Sequence, residues 1–257
     1  MEINKIYNEN CLDTMARMPD CFVDLTVTSP PYDNLRTYNG YSFDFEVVAK
    51  ELFRVTKQGG VVVWVVGDAT IKGSETGTSF KQALFFKECG FNLHDTMIYL
   101  KNQLSFPDST RYFNAFKYMF VFSKGKINTF NPIKDRKNVS AGREVHGCER
   151  RNDGGLNKKR SCAGNIIKEY GVRWNYWLMY NNKRGEETKH PAVFPEVLAN
   201  DHILSWSNEG DTIYDPFMGS GTTAVAVRKL NRNYIGSEIS KEYCDITEQR
   251  LKQKILL

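Results

Sequence analysis

Asp215-Pro216-Phe217-Met218-Gly219-Ser220-Gly221-Thr222-Thr223 is the stretch on which the reading of this chain turns. A short apolar run, 212–214, precedes it, and a helical pattern, 222–230, follows it. A loop between strand and helix is where an open α/β sheet holds its ligand. Gly219 and Gly221 allow a tight turn and let a ligand approach the backbone with no Cβ in the way. The next strand pattern, 233–239, carries Glu238, placed where a carboxylate can accept both hydroxyls of a ribose. A nucleoside cofactor fits this arrangement. NAD does not, because Gly219-Ser220-Gly221 runs on as Thr222, Thr223 and Ala224, which breaks the GxGxxG spacing. A phosphate-binding P-loop fails as well, since no Gly-Lys-Ser/Thr follows.

Outward from this loop, strand and helix patterns alternate. The short β-branched run 20–28 stops at Ser29-Pro30-Pro31, because neither proline can extend a ladder. A helical pattern at 46–54 leads through Gln58-Gly59-Gly60 into a second buried run, 61–66, ending at Gly67-Asp68. A helix over 79–89 closes at Gly90, and strands follow near 93–100 and 118–123. Helices are expected again at 195–205 and at 240–256, the latter with Ser240 as N-cap. The alternation implies an α/β fold with a mainly parallel, doubly wound sheet.

The 257 residues allow a sizeable core, and no run reaches the roughly 18 apolar residues of a membrane span. No secretory leader is visible, and the six cysteines form no CxxC pair, so the expected setting is a reducing cytoplasm. The four histidines show no metal spacing. Charge is concentrated: residues 126–189 hold 15 Lys+Arg against 7 Asp+Glu, within a chain of formal charge +5. This basic, weakly periodic segment points to a polyanionic partner, with a solvated loop-rich insertion as the plain alternative. Trp174 and Trp177 inside it are read either as base-stacking groups or as a core patch.

A second motif sits where the first long strand ends: Ser29-Pro30-Pro31-Tyr32. The Pro30 carbonyl and the Ser29 hydroxyl offer two acceptors to a planar amine, and Tyr32 offers a face for stacking. With the Asp215 loop, this motif resembles the amino-methylating DNA methyltransferases that use S-adenosyl-L-methionine. The order of catalytic motif, basic segment and cofactor loop is similar to that of the permuted β group. Further resemblance lies in Arg111-Tyr112-Phe113, Phe120 to Gly125 and His190-Pro191-Ala192-Val193-Phe194-Pro195. Asn10-Cys11-Leu12 stands where the family often has Asp-Cys-Leu.

The resemblance implies a Rossmann-like mixed sheet of the class I methyltransferases in three parts. Residues 1–125 would form the catalytic half, 126–189 a target-recognition insertion, and 190–257 the cofactor-binding half. Asp215 would bind the methionine ammonium, with Gly219 and Gly221 under the carboxylate and Thr222 and Thr223 opening a helix beside it. Phe217 would flank the adenine, Asn10 would contact it, and Glu238 would hold the ribose. Ser29, Pro30, Pro31 and Tyr32 would hold a target base flipped out of double-stranded DNA. A homodimer is implied, with a cognate restriction endonuclease as a further partner to look for.

Serine as the first residue of the motif usually accompanies cytosine N4 methylation in this family, whereas Asp or Asn usually accompanies adenine N6. Cytosine N4 is the favoured target and adenine N6 the alternative. Carbon-5 methylation needs a thiolate, generally from a Pro-Cys pair, and none of the eight prolines precedes a cysteine. Two rivals remain: an inactive nucleic-acid-binding protein on the same scaffold, and methylation of RNA or of a protein glutamine. Asp68, at the end of a strand pattern, is read either as ordering the pocket or as a strand-terminating turn.

Overall fold

The computed structural model describes residues 1–31, 43–101, 110–147, 149–157, 164–179 and 195–252. Tyr32, Lys158, Lys159, Arg160 and His190 to Phe194 lie outside them. The chain divides into two compact units, 1–131 with 175–257, and 132–174.

The larger unit is built on eight strands, numbered here in chain order: β1 (Lys5–Tyr7), β2 (Val23–Thr28), β3 (Thr56–Val66), β4 (Asn92–Lys101), β5 (Phe116–Ser123), β6 (Tyr176–Met179), β7 (Thr212–Asp215) and β8 (Asn233–Ser237). Their spatial order is β1-β8-β7-β2-β3-β5-β4-β6. All run in one direction except β5, which is antiparallel to β3 and to β4. The sheet is therefore mixed, and mainly parallel as its sequence implies.

β3 shows why these residues make a central strand. Val62, Trp64 and Val66 enter one apolar cluster, while Val61, Val63 and Val65 enter another. A strand covered on both faces reads as a continuous apolar run instead of an alternating one. The first face is covered by α1 (Cys11–Ala16), α2 (Phe45–Val55) and α3 (Thr78–Glu88), through Met15, Leu52 and Phe86. The second is covered by α4 (Glu196–Trp206) and α5 (Thr222–Lys229), through Leu198, Ile203 and Val227. The last helix, α6 (Lys241–Lys252), packs Leu251 against Met218 and Ala224.

Three local features differ from the sequence expectation. The edge strand β1 was not anticipated, because three residues are too few to show a period. Asp68 accepts from the Ser79 amide at 2.8 Å and the Ser79 hydroxyl at 2.5 Å, so it closes the open end of α3, whose own N-cap Gly77 has no side chain to do so. Within the segment expected to be weakly ordered, β6 pairs in parallel with β4 and buries Trp177 to 5% exposure. Trp177 is thus a core residue, whereas Trp174 is exposed. Among the described residues no helix is long and apolar enough to cross a membrane.

Within the unit 132–174, the described stretches 133–145 and 165–173 pair as a bulged antiparallel ribbon. Arg173 N–H bonds the Ile133 carbonyl, Arg136 and Lys137 face Gly171 and Tyr170, and Asn138 N–H bonds the Glu169 carbonyl. After a turn at 138–141 the pairing resumes, with Ile167 N–H on Arg143 and Val145 N–H on Asn165. The turn is a bulge, which lets the two stretches stay paired around it.

Gly221, the N-cap of α5, has φ +82°, and a Cβ there would lie 2.1 Å from Thr247 Cγ2. Gly210 has φ +84° with nothing within 4 Å. Gly210→Ala should therefore cost only about 1 kcal/mol for the left-handed backbone. Gly221→Ala should cost several times that, because α6 must also move. Urea denaturation of both variants checks the difference.

Candidate active site

Asp215 ends β7 beneath the loop that carries the first motif. It is 1% exposed, and its two oxygens accept from three donors: Thr28 Oγ1 (2.7 Å) and Phe217 N–H (3.0 Å) on Oδ1, and Thr223 Oγ1 (2.6 Å) on Oδ2. The bond to the amide two residues on is the usual local use of an aspartate at a turn. The bond to Thr28 spans 187 positions and joins the end of β2 to the end of β7. The resemblance implies that Asp215 binds the methionine ammonium; the structure buries its carboxylate at the end of β7 and engages both oxygens with protein donors.

The loop itself is held from two sides. Met218 N–H bonds the Ser237 carbonyl of β8 (2.9 Å), and Thr247 Oγ1 of α6 donates to the Gly219 carbonyl (3.0 Å). Glu238, half-buried, accepts from the Gly219 amide (2.9 Å) on one oxygen and from the Ser240 amide (2.8 Å) on the other. Gly221 serves packing against α6 as well as the turn. Thr222 and Thr223 are buried at the start of α5.

Burial pushes the Asp215 carboxyl above the ordinary carboxylate range, against the pull of Thr223, Thr28 and the Phe217 amide. Glu238 is likewise raised by burial, with the nearby Asp215 charge adding to it and amide donors opposing. Cys11 is pushed up to about 12 by burial, so its thiol stays protonated and acts as a wall and not as a nucleophile.

A pocket of ≈ 230 Å³ opens beside the loop, lined by Asn10, Cys11, Leu12, Phe43, Asp44, Val48 and Phe217. Asn10 caps α1 by accepting from Leu12 N–H (2.9 Å), which fixes its side chain at the rim. The Phe217 ring stands edge-on to Phe43 (centroids 5.2 Å, 87°) and to Trp64 (6.3 Å, 72°), so its orientation is set by the core. Phe43 escaped sequence reasoning, and Asp44 reads from the sequence as no more than a solubilising charge. Asp44 caps α2 by accepting from Val47 N–H (3.3 Å), and an acidic residue just before an amphipathic helix was the available signal. Phe43 carried none.

Ser29, Pro30 and Pro31 leave β2 directly after Thr28, with Ser29 and Pro31 half-buried and Pro30 buried. They share the carboxyl-end rim of the sheet with Asp215 and Glu238. The structure thus brings Asn10 and Phe217 together at the pocket, and Asp215, Gly219, Gly221, Thr223 and Glu238 at the loop.

A raised carboxyl stabilises the fold while protonated, and that contribution is lost as pH rises through the folded-state value. Asp215→Asn keeps the shape and the acceptor for Thr28 and Phe217 but removes the titration. The thermal midpoint of Asp215→Asn relative to the parent should therefore improve as pH rises from about 4 to about 7. Melting curves across that range check the sign.

Comparison with known proteins bears on the family and the fold. A family model of the N6/N4 methylases, described as DNA methylase, matches residues 23–249. The orphan methyltransferase M.BamHII of Bacillus amyloliquefaciens is 61% identical over 245 residues, covering 93% of this chain and 92% of its own length. The type II methyltransferase M.BglII of Bacillus subtilis is 27% identical over 259 residues, covering 97% of this chain and 69% of its own. Among solved structures, the cytosine-N4-specific PvuII DNA methyltransferase has a TM-score of 0.72 at 20% identity, covering 100% of this chain and 89% of that one. M1.HpyAVI in complex with SAM has a TM-score of 0.66 at 23% identity, covering 96% and 98%. These two likenesses are of fold, a mixed class I methyltransferase sheet. This chain belongs to the N6/N4 DNA methylase family.

Proposed function

We propose that this chain moves a methyl group from S-adenosyl-L-methionine to the exocyclic N4 amine of a cytosine flipped out of double-stranded DNA. The observation that carries the reading is the hydrogen bond from Thr28 to Asp215. It holds the acceptors that follow Thr28, the Ser29 hydroxyl and the Pro30 carbonyl, in fixed register with the cofactor loop.

The residues present fit the cofactor. Phe217 and Asn10 would hold the adenine in the pocket, Glu238 would take the ribose, and Asp215 would supply negative charge to the ammonium from behind the loop. Gly219, Gly221, Thr222 and Thr223 would shape the seat of the carboxylate at the start of α5. The cofactor contributes a methyl group on a sulfonium, already a good leaving group. Ser29 and Pro30 accept the two amine hydrogens and so aim the nitrogen lone pair, and Tyr32 stacks on the base. No strong general base is required, because the amine proton becomes acidic as the new bond forms.

The choice of cytosine rests on Ser29, a neutral hydroxyl where adenine enzymes of the family usually carry Asp or Asn. It is supported by the fold likeness to a cytosine-N4-specific enzyme. Since M.BamHII is named an orphan, the reading needs no cognate restriction endonuclease.

Digestion of treated DNA to nucleosides and mass spectrometry should yield N4-methylcytosine; N6-methyladenine alone would move the target to adenine. Ser29→Ala should lower turnover on saturating DNA far more than it lowers cofactor affinity, measured by steady-state kinetics beside calorimetry. Asp215→Asn, folded, should weaken S-adenosylmethionine binding by about 10-fold or more, because the buried charge that attracts the ammonium is lost. Calorimetry with the cofactor alone reads that loss.

A further inference from the structure

The ribbon unit 132–174 carries 11 Lys+Arg against 5 Asp+Glu, leaving 24 against 25 in the rest of the chain. The excess positive charge thus resides almost wholly in this unit. What the ribbon exposes is equally uneven. Tyr170, Val172 and Trp174 are 46%, 45% and 54% exposed. Lys137 is the cross-strand partner of Tyr170 and lies beside it on the same face. A basic surface that also shows aromatic and apolar groups suits a polyanion with readable edges, which is duplex DNA.

One cation in the ribbon is fixed in advance. The Arg136 guanidinium carbon lies 4.3 Å over the Trp174 ring, and Arg136 Nε–H donates to the Val172 carbonyl at 2.9 Å. Gly171 makes this crossing possible, since a Cβ there would lie 2.4 Å from Arg136 Nη2. Stacking on an indole and one hydrogen bond remove most of the freedom of a long side chain. The terminal amino groups keep the fork that matches O6 and N7 of guanine.

Resting on the reading of the chain as a DNA methyltransferase, we propose that this ribbon enters the major groove, where Arg136 reads a guanine and Lys137 meets a neighbouring phosphate. A groove about 12 Å wide admits a two-stranded ribbon. The bulge at 138–141 lets the ribbon bend within it.

The test uses the full chain, S-adenosylmethionine and a pool of randomised duplexes, sequenced for methylated positions, with binding measured across salt concentrations. Arg136→Gln should relax the preference for one guanine roughly 10- to 100-fold while the methylated nucleoside stays the same. Arg136→Lys, which keeps charge and loses the fork, should behave alike. Lys137→Gln should weaken binding to all sequences and reduce the salt slope by about one. Folding of each variant is verified by its melting curve. If folded Arg136→Gln and Arg136→Lys both keep the parent's discrimination at every position, Arg136 reads no base. If Lys137→Gln also leaves the salt slope unchanged, the ribbon lies off the DNA. Failure of the parent chain to methylate any duplex would instead remove the functional reading on which the proposal rests.

Discussion

The Asp215 carboxylate ties the end of β2 to the end of β7, and so the first motif to the second. An ionised carboxylate at 1% exposure would be costly without donors. Here Thr28, Thr223 and the Phe217 amide supply three, each from a different piece of backbone. Removing one partner would strand the others, so the register between β2 and β7 resists sliding by even one residue. Both motifs depend on that register. The prolines that stop β2 and the turn that opens α5 begin at the two ends of this one bond.

Direction of strands does the remaining assembly. Seven of the eight strands run the same way, so their carboxyl ends gather on one rim. Segments as distant as Asn10, Ser29 and Phe217 meet there because each follows a strand or opens the helix after one. β5 alone runs in reverse, wedged between β3 and β4 and contributing Met119, Val121 and Phe122 to the clusters on both faces. The reversal changes the fold from a simple doubly wound sheet to a mixed one without moving the rim.

Features set by neighbouring residues could be read from the sequence. Prolines stop β2, glycines shape the turn before α5, and a β-branched run marks β3, each through a local steric cause. Features set by distant partners could not. β1 exists because Lys5 to Tyr7 find an open edge on β8, and β6 because four residues of an unpatterned segment pair with β4. Asp68 looked equally suited to a ligand and to a turn until Ser79 was seen to bond it. Asp215 was recognised as important, yet its burial could not be foreseen, because Thr28 lies 187 positions away. The ribbon was legible only as charge, since its pairing joins residues up to 40 positions apart, such as Ile133 and Arg173.

Two carboxyls give the loop before α5 its electrostatic character. Asp215 and Glu238 are both held above the usual carboxylate range, and the charge of Asp215 raises Glu238 further. The groups that oppose these shifts are hydroxyls and backbone amides, with no lysine or arginine among them. The protein therefore offsets the burial of these two carboxyls with dipoles only and supplies no countercharge. A glycine turn at a helix N-terminus is ordinarily a seat for phosphate, because the unpaired amides and the helix dipole face the anion. Here the Gly219 amide is turned onto Glu238, and a carboxylate lies behind the loop. A nucleotide phosphate would meet repulsion where an ammonium or sulfonium would meet attraction, and at low local dielectric that difference is large. On the proposed reading, a glycine turn backed by two carboxylates suits a nucleoside that carries positive charge.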